Sequence, residues 1–138
     1  MSPGGRVPPR GPSGPRSPVA ATAIRLGLEP HPEGGWYRRT WTSPAAVGDR
    51  PAATAILYLL APGESSAPHT VDADELWLWH GPGALVLHVG DERTVLDAAH
   101  PQVLVPAGAR QSTAPAEDEV LVTCVVSPGF AWSGFRLV

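Results

Sequence analysis

The chain contains no lysine and no asparagine, and all ten of its positive side chains are arginine. Without an ε-amine, its own side chains cannot form a Schiff base, supply a phosphate-loop lysine or use lysine as a general base. Without asparagine there is no acceptor for N-glycosylation. A single cysteine, Cys124, excludes a disulfide framework. It lies in the apolar run Val120–Val126 and reads as a buried, unreactive thiol. No apolar run approaches the roughly 20 residues a membrane span needs, and the basic N-terminus lacks the apolar segment of a signal peptide. These absences set the expectation of a cytoplasmic protein with no membrane partner. There is also no nucleophile elbow and no glycine-rich phosphate loop.

What the chain has in excess is proline, 17 residues, and glycine, 15. Six prolines fall within residues 1–18, with Gly4, Gly5, Gly11 and Gly14 among them and almost nothing apolar to bury. Such a segment cannot offset its ordering entropy, so residues 1–18 read as a disordered tail. Residues 19–138 are long enough for one domain. With Arg6, Arg10 and Arg16 in the tail, that domain holds seven arginines against 13 acidic residues. The balance disfavours nucleic acid as a partner.

Within the domain, Pro18 and Gly27 bracket a short alanine-rich segment suited to a helix. After it, Gly or Pro punctuates short apolar or β-branched runs. These are Trp36–Ser43, Ala53–Leu60, Glu75–His80, Ala84–Val89, Arg93–Leu96, Gln102–Val105 and Val120–Val126. Short strands at regular spacing predict an all-β sandwich or barrel. Strand alternation places Glu75, Trp77 and Trp79 on one face, and Tyr37, Arg39 and Trp41 on one face of the earlier run. Leu85, Leu87 and Val89 face away from Val86 and His88. Apolar residues on both strand faces imply that both are covered, as in a hollow barrel or a dimer.

Gly63, His69, Asp74-Glu75 and Gly81 follow one another with the spacing of a known motif, and Val105-Pro106-Ala107-Gly108 leads to Gln111. The two stretches resemble the first and second motifs of the cupin superfamily. His31-Pro32-Glu33-Gly34-Gly35, the run Ala53–Leu60, and Ser127-Pro128-Gly129-Phe130 extend the likeness to a small single-domain branch, the cupin-five family. The resemblance runs from about Leu26 to Val138. It implies a cupin-type double-stranded β-helix, a jelly-roll barrel preceded here by a short N-terminal helix, with a small-molecule pocket inside and a homodimer outside.

Metal-holding cupins resemble a His-His-Glu-His set. Here His69 and Glu75 stand at the first His and the Glu, while Val71 and Gln111 replace two imidazoles. His69, Glu75 and Gln111 would make a weak site for a divalent metal. Alternatively they form a hydrogen-bonded polar cluster with no cofactor required. Glu75, beside indoles in a dry cavity, should have a raised pKa suited to acid–base work with His69. Trp77, Trp79, Tyr37, Trp41 and Gln111 are the expected substrate contacts. The resemblance favours an acidic residue where this chain has Arg39. If Arg39 faces the cavity it binds substrate anions; if it faces outward it is a solvated charge. Arg110 is a further candidate for the cavity mouth. Glu33 reads as a turn residue bonding backbone amides or as a catalytic group. His31 reads as a surface loop residue, His88 as a core histidine and His100 as a turn residue. The leading expectation is an epimerase, isomerase, cyclase or lyase using His69 and Glu75. The alternatives are a non-catalytic binding or sensor protein and a metal-dependent enzyme.

Overall fold

The computed structural model describes residues 18–138. The stretch read as a tail lies outside them, apart from Pro18, which opens helix α1 (Pro18–Leu26). That helix ends as its composition demands. Gly27 turns at φ 69°, its N–H reaches the Ile24 carbonyl, and the Leu28 N–H reaches that of Ala23. This is a Schellman closure, which needs a residue tolerant of the left-handed region.

The strands that follow are β1 (Glu29–Pro30), β2 (Trp36–Thr42), β3 (Ala46–Val47), β4 (Arg50–Pro51), β5 (Thr54–Leu60), β6 (His69–Val71), β7 (Asp74–Pro82), β8 (Leu85–Val89), β9 (Glu92–Leu96), β10 (Gln102–Val105), β11 (Gln111–Thr113), β12 (Val120–Ser127) and β13 (Phe135–Leu137). One sheet has the order β1-β2-β5-β12-β7-β10 and the other β13-β6-β11-β8-β9; β3 and β4 form a separate hairpin. Every pairing is antiparallel. The seven runs marked by Gly and Pro are all strands, to within two residues at each end. The three-residue strands β6, β11 and β13 are too short to show a period and escaped the pattern.

Direct cross-strand pairs share a face, so the register sorts the first sheet into rows. Arg39, Ile56, Cys124, Trp77 and Val103 form one inward row. Trp41, Ala55, Val125, Leu76 and Leu104 form an outward one. Arg39 and Trp41, two residues apart, should share a face. They do not, because a register shift between them leaves Thr40 without a cross-strand partner. A bulge inserts one residue and inverts the alternation beyond it. The placement of Trp41 beside Tyr37 and Arg39 is thereby corrected: Trp41 is exposed on the outer face.

The core lies between the sheets. Tyr58, Leu60 and Trp77 meet Leu85, Leu87 and Leu96 there, each at most 1% exposed. Each contributes about 1.5–3 kcal/mol of burial. A smaller cluster of Ala23, Leu59 and Ala61, with Leu28, Trp36 and Leu121, seats α1 on one end of the outer face. The Thr22 hydroxyl donates to Glu119 Oε1 at 3.0 Å and fixes the helix there. No described helix is long and apolar enough to cross a membrane.

The turn between β1 and β2 is held by its glycines. Gly35 sits at φ 77°, and a Cβ there would lie 2.7 Å from the Leu59 carbonyl oxygen and 2.8 Å from Leu60 Cδ2. Gly48, at φ 63°, has nothing within 4 Å. Gly35→Ala should therefore cost about 2–4 kcal/mol, from left-handed strain plus backbone collision. Gly48→Ala should cost the strain alone, about 1–2 kcal/mol. Urea unfolding of the two variants checks the difference.

Candidate functional site

One end of the barrel encloses a cavity of about 350 Å³. His69 enters it from β6, Glu75 from β7, and His31 and Glu33 from the turn before β2. Tyr58 and Cys124 form part of its inner wall, and Tyr37, Arg39, Phe130 and Trp132 also line it.

Gln111 on β11 is the cross-strand partner of His69 and is 1% exposed. Its side chain crosses to the facing sheet. Oε1 accepts the Trp77 indole N–H at 3.0 Å, and Nε2 donates to Glu75 Oε1 at 2.9 Å. An indole only donates, so it fixes which end of the amide meets Glu75. Gln111 thus stands behind Glu75 and does not line the cavity.

Glu33 reaches the site because Gly34 and Gly35 let the chain double back. The Gly34 N–H bonds the His31 carbonyl, the His31 N–H bonds the Gly35 carbonyl, and the Tyr58 hydroxyl donates to the Gly34 carbonyl at 2.6 Å. A side chain at Gly34 would collide with the Ser65 carbonyl. The turn therefore folds into the barrel mouth, and the reading of His31 as a surface residue is corrected. The His31 side chain is 6% exposed and packs edge-on against Tyr37. Nor does the Glu33 carboxyl bond backbone amides: its Oε2 accepts the Ser66 hydroxyl at 2.6 Å.

The other oxygen, Oε1, lies 3.3 Å from His69 Nε2 and 3.5 Å from His31 Nδ1. His69 Nδ1 donates to the Ala67 carbonyl at 2.8 Å, so in the neutral ring Nε2 carries a lone pair. His31 Nδ1 accepts the Glu33 N–H at 3.1 Å and so carries no proton to offer Oε1. With neutral rings, an ionised Oε1 would find no donor at either nitrogen. A proton on Oε1 resolves this by bonding to His69 Nε2. The charges agree. Burial raises Glu33 to about 7, partly offset by its Ser66 bond. Burial lowers His31 to about 4, helped by neighbouring His69, and lowers His69 as well. Burial thus shifts these contacts toward neutral hydrogen-bonded or van der Waals contacts and away from ion pairs. Glu75 is raised to about 7, first by burial and then by Glu33, while Gln111 and His69 pull it down. Burial drives the Cys124 thiol well up, which keeps it unreactive.

Two carboxyls and two imidazoles thus line one cavity, where the sequence predicts one of each. The expected direct bond from His69 to Glu75 is absent: His69 faces Glu33, and Glu75 faces Gln111. Pro-Glu-Gly-Gly was the available signal, since paired glycines after a titratable residue mark a loop able to approach a backbone closely.

The other expected contacts divide. Tyr37 and Arg39 line the cavity; Trp77 and Trp79 do not. They point inward, as alternation requires, but lie beyond Glu75 in the apolar core, where Trp79 Nε1 donates to the Gly83 carbonyl at 2.7 Å. The aromatic lining comes instead from Tyr37, Phe130 and Trp132. Arg110 is exposed and lines nothing, and His88 is half-buried on the outer face opposite Ser112 and Arg93. His100 lies in an exposed turn.

A metal fits these residues poorly. Gln111 gives its oxygen to Trp77 and turns its NH₂ toward Glu75, and an NH₂ is no ligand. Among the described residues, no three His, Cys, Asp or Glu side chains are placed to hold a metal ion.

Two facing antiparallel sheets with polar groups at one end of the barrel define a double-stranded β-helix of the cupin class. The sequence model of the Cupin_5 family, described as Cupin superfamily (DUF985), matches residues 21–138, and the chain belongs to that family. It is similar to a hypothetical protein from Leishmania major (30% identity, 87% of this chain and 86% of that one, TM-score 0.80). It is also similar to a protein from Shewanella oneidensis (36% identity, 87% and 84%, TM-score 0.78). A protein with a double-stranded beta-helix domain from Klebsiella pneumoniae shares the fold (18% identity, 83% and 93%, TM-score 0.63). No curated protein sequence matches.

The raised carboxyl at position 75 has a stability consequence. Between about pH 4.5 and 7 the unfolded chain ionises Glu75 while the folded one keeps it protonated, so this group destabilises the fold increasingly as pH rises through that window. The lowered imidazoles act oppositely, which flattens the wild-type profile. Glu75→Gln removes the carboxyl's share alone. Relative to wild type, the variant should gain on the order of 2 kcal/mol between pH 4.5 and 7.5. Urea titrations at the two pH values measure it.

Proposed function

We propose that this protein is a small cytoplasmic enzyme that moves protons on a small metabolite: an isomerase, epimerase, cyclase or lyase. The observation that carries the reading is the contact of Glu33 Oε1 with His69 Nε2 at 3.3 Å, both side chains buried, with Glu75 lining the same cavity. A carboxyl poised near neutrality gives and takes protons with comparable ease. Glu75, on one sheet, is the base when ionised. The Glu33–His69 pair, on the turn and the other sheet, returns a proton to the substrate. The proton leaves one substrate atom and is restored at another or on the leaving group, so no oxidant or reductant is needed. Gln111 holds Glu75 in place, and the aromatic residues pack against the substrate.

The test is hydrogen exchange in D₂O, followed by proton NMR, on a panel of hydroxy ketones, enolisable keto acids and lactones. Wild type should exchange a carbon-bound hydrogen of at least one compound. Glu75→Gln and His69→Ala should slow it by about 10²-fold or more while leaving the fold intact. EDTA should change nothing. Loss of exchange on chelation would favour the metal-dependent reading. A compound that binds with no exchange or turnover would favour the ligand-binding reading.

We further propose a homodimer through the outer face of the six-stranded sheet. Helix α1 covers one end of that face and leaves the row from Trp41 to Leu104 uncovered. The row is apolar across five strands, about 19 Å, and a flat apolar surface of this kind pairs with its own copy. Trp41→Arg with Leu104→Arg should convert a sedimenting dimer to a monomer; an unchanged sedimentation coefficient would refute the assignment.

A further inference from the structure

Among the residues that line the cavity, Arg39 is the single arginine; the acids in the same lining are Glu29, Glu33 and Glu75. Its position is set by the backbone. The bulge at Thr40 allows Arg39 to face inward while Trp41 faces out. The guanidinium is anchored by one bond, Nη2 to the Phe130 carbonyl at 3.2 Å, and the side chain stays exposed. No described carboxylate lies within ion-pair distance of it. An arginine carries five donors in a planar fork, so most of them remain for a ligand. Strand β2 lies three strands from β7, about 14 Å. With Arg39 and Glu75 both extending inward, the remaining gap suits a small metabolite.

We propose that Arg39 is the specificity-determining group of the cavity and binds a carboxylate on the substrate, at the end away from the atoms that exchange protons. This deepens the proton-transfer reading and rests on it. The charge distribution orients the ligand. Glu33, His69 and Glu75 are buried, so a substrate anion placed among them would be desolvated against acids. The rim holds a cation anchored by a carbonyl. An anionic ligand therefore enters with its neutral, reacting end first. A carboxylate suits the site better than a phosphate. The fork matches either planar pair of oxygens, but a dianion would have one cation and three nearby acids to contend with.

The experiment measures binding, independent of turnover. Matched probes are benzoate against benzamide and hexanoate against hexanamide, with phenyl phosphate as the phosphate arm. Quenching of tryptophan fluorescence, with Trp132 at the cavity, reports occupancy, and NMR shift titration confirms it. Each acid should bind wild type about 10-fold more tightly than its amide, the scale of one charge-assisted hydrogen-bond pair. Arg39→Gln should abolish the preference, and Arg39→Glu should reverse it. Because Arg39 is exposed, both variants should melt close to wild type. Equal affinity of acid and amide, a preference that survives Arg39→Gln, or tighter binding of phenyl phosphate than of benzoate would overturn the proposal. So would failure of both acids to bind at about 10 mM, well above the ~1 mM dissociation constant of a weak ligand. The two readings fail separately. An acid preference without any proton exchange sinks the enzyme reading and leaves Arg39 in place. Exchange confined to uncharged compounds does the reverse.

Discussion

The site depends on one side-chain amide that spans the barrel. Gln111 takes the Trp77 indole N–H on one edge and gives an N–H to Glu75 on the other, joining a strand of one sheet to a strand of the facing sheet. A buried amide left unpaired is expensive, and so is a buried indole N–H. Both are satisfied only when the two sheets stand at this separation. The apolar core enforces the same separation from below, through Trp77 against Tyr58 and the leucines of β8 and β9. Packing and hydrogen bonding therefore specify one geometry, and the Glu75 carboxyl inherits it.

Desolvation then shifts the protonation of the site. A carboxyl and an imidazole in water exchange charge near pH 4.5 and 6.5; in this cavity burial raises the first and lowers the second. Both shifts favour the uncharged form, so the carboxyls hold their protons to higher pH and the imidazoles give theirs up at lower pH. Tyr37, Phe130 and Trp132 add apolar surface to the same cavity lining. Arg39, the one arginine in the lining, has no described carboxylate within ion-pair distance.

The architecture was legible because its signals are local. Gly and Pro at the strand ends, alternation in Glu75–His80 and the helix bracketed by Pro18 and Gly27 each have a one-element cause. His69, Glu75 and Gln111 were legible from their motif spacing. What escaped was non-local. Nothing in the neighbourhood of Thr40 announces a bulge, yet the bulge decides that Arg39 enters the barrel and Trp41 leaves it. Alternation correctly aimed Trp77 and Trp79 inward but carries no depth, and depth separates a cavity wall from a core. His31 departs from its sequence reading because a loop with prolines and glycines is ordinarily solvent-facing. Here the close approach of Gly34 and Gly35 to the β5 strand and to Ser65 folds it inward.

The same bulge links the two faces of the sheet. An unbroken β2 would carry Trp41 into the cavity beside Arg39 and leave Thr40 on the outer surface. The cavity would then lose volume to an indole, and the outer row would lose the aromatic at its edge. Inserting one unpaired residue avoids both. It leaves a cation with free donors at the rim and places an exposed tryptophan at the end of an apolar stripe. The proposed association surface and the proposed ligand-orienting charge thus trace to one backbone irregularity, so a change that straightens β2 would disturb both together.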